Sequence, residues 1–296
     1  MASIFRPPPN AMAEIAPVSA QAKVPQIVMM SATSIVTERS PYIVRTAFTS
    51  QQTTIPIADW ALKNSIKKVV TLVSDFAPGV EIENTFVERF KAGGGEILQS
   101  LRVPLASPDF APFLQRAADA KPDALFVFVP AGIGATLVKQ YVERGLDKSG
   151  IKLIAEGSVV DDDSIQKMDD SVLGMITSHN YSASHDSPEN KDFVAAFKAA
   201  NNGLRPNLIA VHAYDGMHII YEALKKTAGK TDGDAILAAM KGLAWNSPRG
   251  PVSIDPETRE MTQNVYIRRV TRVGGELYNT EFETIPNVKD PSKIKK

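Results

Sequence analysis

The sequence contains no cysteine, and this absence excludes several kinds of site at once. A chain without thiols forms no disulfide, offers no thiolate ligand to a metal and has no cysteine nucleophile. The compartment stays open on this ground, because a cysteine-free protein works equally well in the cytoplasm and in the periplasm. Long apolar runs are missing too, since none approaches the ~18–20 residues that span a bilayer.

A surplus of positive charge is also lacking. Lysine plus arginine and aspartate plus glutamate both number 33, and 44% of the residues are hydrophobic. Affinity for nucleic acid or for an anionic membrane surface needs a clear surplus of lysine and arginine. We therefore predict a globular protein that binds no nucleic acid and does not span a membrane. Its 296 residues exceed one ordinary compact core, which favours two lobes.

The motifs of nucleotide, metal and hydrolase sites are absent or incomplete. The segment PAGIGATL has Gly132 and Gly134, but Leu137 stands where a dinucleotide-binding turn needs its third glycine. The 4 histidines do not follow HExxH or HxH spacing, and neither GxSxG nor Gly-Lys-Ser/Thr occurs. The aspartates at 161–163 are interpreted as a helix N-terminus stabilised by the helix dipole. No catalytic group, metal or cofactor is predicted.

An alternation of short β-branched runs with amphipathic segments occupies the middle of the chain. The predicted strands are 67–73, 96–103, 123–129, 151–155 and 172–178, and the predicted helices between them are 80–91, 109–120 and 131–145. This order indicates βαβ units, and hence an α/β fold with a parallel sheet flanked by helices. Three helices then follow at 189–201, 206–227 and 231–241, before strands at 251–254, 264–270 and 276–282. The chain is thus predicted to leave one lobe, build on another and return.

Ligands of open parallel sheets bind beyond the C-terminal ends of the strands, so the residues at those ends are the candidates for a site. The apolar run IVMM at 27–30 leads into Ser31, Thr33 and Ser34. These residues are either plain helix N-caps or hydroxyl and N–H donors that grip a ligand carboxylate. Glu156, at the end of an apolar strand, is either solvent-facing or a partner for a ligand amine. The same alternatives hold for Asp215.

With these residues identified, the chain resembles the substrate-binding proteins of branched-chain amino-acid ABC transporters, which have the type I periplasmic binding fold. The matching stretches are APVSAQAKVPQIVMMSATS, PYIVRTAFTSQQ, VVTLVSDFAPGVE, SPDFAPFLQRAADAKPDALFVFVPAG, AYDGMHIIYEAL and SPRGPVSIDPETRE. The resemblance covers nearly everything from Asn10 to Pro291. No single stretch is specific to this family, but the combination of the stretches is.

The resemblance implies two lobes joined by three crossing segments, with the ligand enclosed by hinge closure. The crossings are expected near 45–51, after 179–182 and near 255–260. Residues 1–48 would be the remnant of a truncated first lobe and 49–181 a complete second lobe. Residues 182–254 would return to the first lobe, and 255–296 would cross back and add terminal strands mainly to the second.

The resemblance also implies the residues that touch the ligand. A carboxylate grip by main-chain N–H and hydroxyl groups maps to the SAT turn, and an acidic partner for a ligand ammonium maps to Glu156. The implied ligand-binding residues are Ser31, Ala32, Thr33, Phe76, Ala77, Pro78, Ala131, Glu156, Tyr214 and Asp215. Two of the loops, DFAPG and PAG, are smaller than expected for the family. We therefore hypothesise a cleft wide enough for an aromatic acid or keto acid as well as for leucine.

The function predicted on this basis is the solute-binding component of an ABC importer, a non-enzymatic monomer that captures a small carboxylate and delivers it to a membrane permease. Relatives begin with roughly ninety further residues, including a signal peptide that the present N-terminus does not resemble. The full-length form is expected in the periplasm. The alternative is a cytoplasmic ligand-sensing regulator on the same fold. An enzyme would need an acid/base pair, for which Glu156 and Asp215 are the candidates.

Overall fold

The computed structural model describes residues 11–106, 109–130 and 132–294. The helices in these residues are α1 Ala11–Ala22, α2 Ser50–Lys63, α3 Ala77–Ala92, α4 Ala111–Asp119, α5 Gly134–Glu143, α6 Pro188–Ala200, α7 Leu208–Lys226 and α8 Gly233–Met240. The strands are β1 Gln26–Val28, β2 Ile43–Arg45, β3 Lys68–Ser74, β4 Glu96–Val103, β5 Ala124–Phe128, β6 Lys152–Glu156, β7 Ile176–His179, β8 Ala244–Ser247, β9 Gly250–Ile254, β10 Met261–Val273 and β11 Glu276–Val288. Short 3-10 turns connect several of them.

The larger sheet has nine strands in the order β4-β3-β5-β6-β7-β10-β9-β8, with β11 also paired to β10. Strands β4, β3, β5, β6 and β7 run parallel, because helices connect most of them over one face or the other. The long strand β10 joins antiparallel to β7 along one part of its length and to β9 along another. The predicted α/β fold with a parallel sheet between helices is confirmed.

Both faces of the parallel strands are buried, which explains why their sequences are nearly continuous apolar runs. Helices α2 and α3 cover one face, where Phe86 stacks on Phe126 with the ring centroids 3.9 Å apart. Helices α4 and α5 cover the other face through Leu114, Leu137 and Val138, all of them buried. The core of this part of the chain is therefore two apolar layers separated by one sheet.

A second sheet has two strands, β1 and β2, which pair in parallel. Helix α7 lies against it at Gly216, where an added Cβ would come within 2.6 Å of Cε of Met29. The nearest atom belongs to the flexible end of the Met29 side chain, and Cγ2 of Ile27 in β1 would lie 3.4 Å away. On the remaining side of the strands, Ala16 of α1 forms a small apolar cluster with Val28 and Ile43.

Several predicted elements differ from the structure. Residues 170–172 form a 3-10 turn, so β7 begins at Ile176 rather than at 172. The aspartates at 161–163 precede only the 3-10 turn Ile165–Lys167 and no α-helix. Asp162 is buried and accepts a hydrogen bond from the N–H of Ala183. Asp109 accepts from the N–H of Ala111 but does not occupy the N-cap of α4, which is Phe110. Neither α2 nor β8 was predicted.

The stacked aromatic pair beneath α3 generates a prediction about stability. Phe86→Ala should lower the free energy of unfolding by about 3–5 kcal/mol, because the truncation removes buried ring surface and leaves a cavity against Phe126. Leu204→Ala is the control, since Leu204 is 62% exposed, and it should change the free energy by no more than about 0.5 kcal/mol. Urea unfolding followed by circular dichroism measures both. Equal effects of the two substitutions would contradict the assignment of Phe86 to the core.

Candidate functional site

The C-terminal ends of four adjacent parallel strands meet at one edge of the larger sheet. Val73 of β3 is level with Phe128 of β5, and Glu156 of β6 is level with Ser178 of β7. The loops that follow β3 and β2 lead directly into the N-termini of α3 and α2 at the same edge. Strand ends together with helix N-termini are the usual place for an anionic ligand in such a sheet.

The turn at Ser31–Thr33 is held to this edge by its carbonyl groups. The N–H of Ser50, the first residue of α2, donates to Ala32 O at 2.9 Å. The guanidinium of Arg45 donates to the carbonyl oxygens of Ser31 and of Thr33, the latter at 2.7 Å. All three carbonyls of the turn therefore face protein donors.

The N–H groups of the same turn are in the opposite situation. In the residues that the structure describes, none of the N–H groups of Ser31, Ala32 and Thr33 donates a hydrogen bond. Ser31 and Ala32 are partly buried and Thr33 is exposed. Successive backbone N–H groups that converge on one point bind anions. The turn is therefore equipped to receive a carboxylate.

The alternative interpretation of this turn, a plain helix cap, fits the position of Thr33 but not its hydrogen bonds. Thr33 occupies the N-cap of the 3-10 turn Ser34–Glu38, yet its side chain makes no capping hydrogen bond. Its hydroxyl instead lies 3.5 Å from Oε2 of Glu81, in the second turn of α3. Thr33 therefore connects the turn to the helix that follows the DFAPG loop.

A buried ion pair supports the turn from behind. Arg45 Nε donates to Glu260 Oε2 at 2.6 Å, and both side chains are almost completely buried. The hydroxyl of Thr37 donates to the other carboxylate oxygen of Glu260 at 2.5 Å. Burial raises the pKa of Glu260, while Arg45 acts in the opposite direction. Since the guanidinium of Arg45 also binds the carbonyls of the turn, the shape of the turn depends on this pair.

A stacked aromatic pair lies at the ends of β3 and β5, packed on the apolar core beneath α2 and α3. Phe76 stacks on Phe128 with the centroids 6.1 Å apart and the planes 11° apart. Ala77 and Pro78, which begin α3, are exposed. Gly79 is required by the close approach of this helix start to β3, because an added Cβ would lie 2.1 Å from Ser74 O. The DFAPG loop thus presents one flat ring and two small residues.

A buried acid–histidine pair lies at the ends of the next two strands. Glu156 Oε1 and His179 Nε2 are 3.2 Å apart, and both side chains are fully buried. Burial raises the pKa of Glu156, but the contacts with His179 and with the N–H of Ser158 outweigh it, so the pKa lies below its ordinary value. Burial lowers the pKa of His179 despite the opposing effect of Glu156. Phe48 packs edge-on against the His179 ring at 4.7 Å.

Both carboxylate oxygens of Asp215 are bonded to protein groups. Its carboxylate lies 2.7 Å from Nη2 of Arg249 and accepts from Trp245 Nε1 and the hydroxyl of Ser247, each at 3.0 Å. Tyr214 is 49% exposed and packs on Phe193 of α6. Tyr214 and Asp215 thus lie on α7 with partners in α6, β8 and Arg249, whereas Phe76 and Glu156 lie at the strand ends of the larger sheet.

One predicted ligand-binding residue, Ala131, lies outside the described residues. Three residues of the site were not predicted, namely Phe48, Phe128 and His179. The signal for Phe128 and His179 was their position at strand ends, which the sequence showed. In the described segments, no group of three histidine or acidic side chains is arranged to hold a metal, and no helix has the length and apolarity to cross a membrane.

The Arg45–Glu260 pair generates a prediction about the turn. Arg45→Met should lower the free energy of unfolding by about 3–5 kcal/mol, because it leaves the carboxylate of Glu260 buried without a counter-charge. The matched control is Arg89→Met, which breaks the exposed pair of Arg89 with Asp59 and should cost at most about 1 kcal/mol. Thermal and urea unfolding measure both. If the double variant Arg45→Met/Glu260→Leu is no more stable than Arg45→Met, the unpaired charge is not the cause.

Comparison with known proteins places this architecture in one family. The sequence matches the periplasmic binding protein family over residues 4–276. It is 45% identical over 287 residues to Leu/Ile/Val-binding protein homolog 6 of Brucella melitensis, covering 96% of this chain and 73% of that protein.

Solved structures of similar proteins support the same family. A solute binding protein of an ABC transporter from Rhodopseudomonas palustris BisB5, in complex with 3,4-dihydroxybenzoic acid, is 61% identical with a TM-score of 0.91, over 97% of this chain and 78% of that one. Another, from strain HaA2 in complex with p-hydroxybenzoic acid, is 44% identical with a TM-score of 0.90, over 96% and 78%. The predicted resemblance and the predicted role as the binding component of an ABC importer are confirmed. The chain belongs to the periplasmic binding protein family.

Proposed function

We propose that this protein captures an aromatic carboxylate of the hydroxybenzoate type and presents it to the membrane permease of an ABC importer. The observation that carries the proposal is the turn at Ser31–Thr33, whose carbonyls are all bonded to protein while its N–H groups have no acceptor among the described residues. Such a turn is preorganised for one carboxylate, because binding requires no exchange of existing backbone hydrogen bonds.

The rings beside the turn support an aromatic ligand. Phe76 and Phe128 form a flat wall, and Phe48 adds a third ring near His179. Pockets for small molecules combine an apolar lining with a few placed polar groups. An aromatic acid matches this arrangement, because its ring offers faces and edges for stacking and its carboxylate a single charged end.

The relatives support the same ligand class. The two solute binding proteins from Rhodopseudomonas palustris hold 3,4-dihydroxybenzoic and p-hydroxybenzoic acid, and they are 61% and 44% identical to this chain. The alternative ligand is a branched-chain amino acid, as the name of the Brucella relative indicates. An amino acid needs a carboxylate partner for its ammonium. Asp215, one of the two acids predicted for that role, is already bonded to Arg249, Trp245 and Ser247.

The remaining parts of the proposal follow from this role. The protein would act as a monomer outside the cytoplasmic membrane and release its ligand chemically unchanged. Ser31, Ala32, Thr33, Phe76, Ala77, Pro78, Ala131, Glu156 and Tyr214 would line the site, whereas Asp215 would hold Arg249 rather than the ligand. Two lobes, divided near residues 48, 181 and 254, would close around the ligand. The solute-binding relatives do not favour a cytoplasmic regulator.

A ligand screen tests the proposal. Benzoate, 4-hydroxybenzoate, 3,4-dihydroxybenzoate, leucine and phenylalanine are added separately, and the melting temperature is recorded. A ligand at 100 times its Kd stabilises the folded state by about 2.7 kcal/mol, so a hydroxybenzoate should raise the melting temperature. Chromatography of the released ligand should recover it unchanged. Stabilisation by leucine with none by any aromatic acid would overturn the proposal.

The turn itself is tested by Ser31→Ala. Removing a hydroxyl that binds a ligand carboxylate should weaken binding of 4-hydroxybenzoate by about tenfold, because hydrogen bonds to charged groups are the stronger ones. Ser149→Ala is the matched control, since the hydroxyl of Ser149 binds only Leu146 O, far along the chain from the site. Isothermal titration calorimetry measures both Kd values. An unchanged Kd in Ser31→Ala would show that the Ser31 hydroxyl takes no part in the grip.

A further inference from the structure

The acid–histidine pair at the strand ends has hydrogen-bonding capacity that no described residue uses. Glu156 Oε1 and both ring nitrogens of His179 are buried and lack a hydrogen bond of acceptable geometry, although Oε1 and Nε2 approach to 3.2 Å. The hydroxyl of Ser178, level with Glu156 on the neighbouring strand, is buried and unpartnered as well. Buried polar groups are nearly always bonded, so a cluster of unsatisfied ones indicates a partner supplied from elsewhere.

The surroundings of the pair indicate the shape of that partner. Phe48 covers His179 edge-on, and Asn180, the next residue, is fixed by its bond to Gln263 at 2.7 Å. Phe128 ends strand β5, which neighbours the strand that ends in Glu156. The polar cluster therefore adjoins the aromatic wall, and a group carried on a flat ring would reach it while the ring stacks.

A buried guanidinium lies behind the pair, and Asp161 and Asp162 interact with it electrostatically. Arg268 is fully buried and donates to the carbonyl oxygens of Gly157 and Tyr181, which follow Glu156 and His179 closely in the chain. An added Cβ on Gly157 would lie 2.1 Å from Nη2 of Arg268, so the guanidinium is immediately behind the acid. A ligand ammonium would place a second positive charge beside this guanidinium. A hydroxyl adds no charge, and it can donate to Glu156 and accept from His179.

We propose that Glu156 and His179 select ligands by binding a phenolic hydroxyl of the aromatic ring. This inference rests on the proposed function, because it assumes that the ring binds at this edge with its carboxylate in the Ser31–Thr33 turn. In this arrangement Glu156 Oε1 accepts the phenolic proton. The ring of His179 and the hydroxyl of Ser178 complete the shell, and Phe48 excludes water.

Selectivity follows from what happens when the hydroxyl is missing. Benzoate has a carboxylate and a ring but leaves the carboxylate of Glu156 buried without its partner. Sites built to bond a ligand hydroxyl discriminate strongly against the analogue that lacks it, because the buried polar groups are then unpaired. The protein should therefore bind 4-hydroxybenzoate at least about tenfold more tightly than benzoate.

The test compares ligands across two variants of the full chain by isothermal titration calorimetry. Glu156→Gln removes the charged acceptor, and it should weaken 4-hydroxybenzoate by about tenfold while changing benzoate by less than about threefold. The matched control is Glu281→Gln, which alters another glutamate–histidine pair, Glu281 Oε2 and His185 Nδ1 at 2.7 Å. The control should leave the ratio of the two affinities unchanged. Benzoate binding by Glu156→Gln reports at the same time that the variant is folded.

The outcomes separate this inference from the function on which it rests. If the unaltered protein binds neither benzoate nor a hydroxybenzoate, the proposed function fails. If it binds benzoate as tightly as 4-hydroxybenzoate, or if Glu156→Gln weakens both equally, the function stands and the hydroxyl selection is wrong. Tyrosine that binds as tightly as 4-hydroxybenzoate and loses affinity in Glu156→Gln would assign Glu156 to the ammonium instead, and would also overturn the inference.

Discussion

The buried ion pair between Arg45 and Glu260 is the interaction on which the candidate site depends. Burying two charges is costly, and the cost is offset only when their remaining hydrogen-bonding capacity is also used. Here the guanidinium binds the carbonyls of Ser31 and Thr33, and the hydroxyl of Thr37 binds the carboxylate. The guanidinium that pairs with Glu260 therefore also holds the carbonyls of the Ser31–Thr33 turn inward. This leaves the N–H groups of the turn for a ligand.

The same pair joins segments that are distant in sequence. The N–H of Arg45 donates to Arg259 O at 3.0 Å, so the residues after β2 and those before β10 lie side by side. These are two of the three segments expected to cross between lobes. A second buried network lies beside them, in which Gln263 binds Asn180, Gln52 and Arg249. Buried polar networks of this kind favour one arrangement of the segments that they join.

The success of the sequence predictions varied with how much the local pattern decides. Strand β4 was predicted with both of its ends at Glu96 and Val103, because its boundaries coincide with glycine and proline signals. Helix α2 was missed because SQQTTIPIADWALK contains Pro56 and several β-branched residues with low helix propensity. Most of its side chains are buried against α3 and the sheet, so packing decides its conformation. Strand β8 exists through its pairing with β9, a contact that its own four residues do not encode.

The candidate site shows the same division. By itself the sequence determined that an apolar strand ends in SAT, that DFAPG and EGS follow other strands, and that such strand ends are where ligands of parallel sheets bind. It did not determine which polar groups are free. Glu156 and Asp215 looked alike, as acids beside apolar segments. Only the tertiary structure decided that Arg249 neutralises Asp215 whereas Glu156 keeps an unbonded oxygen beside His179. The partners of each acid come from parts of the chain that no local pattern connects to it.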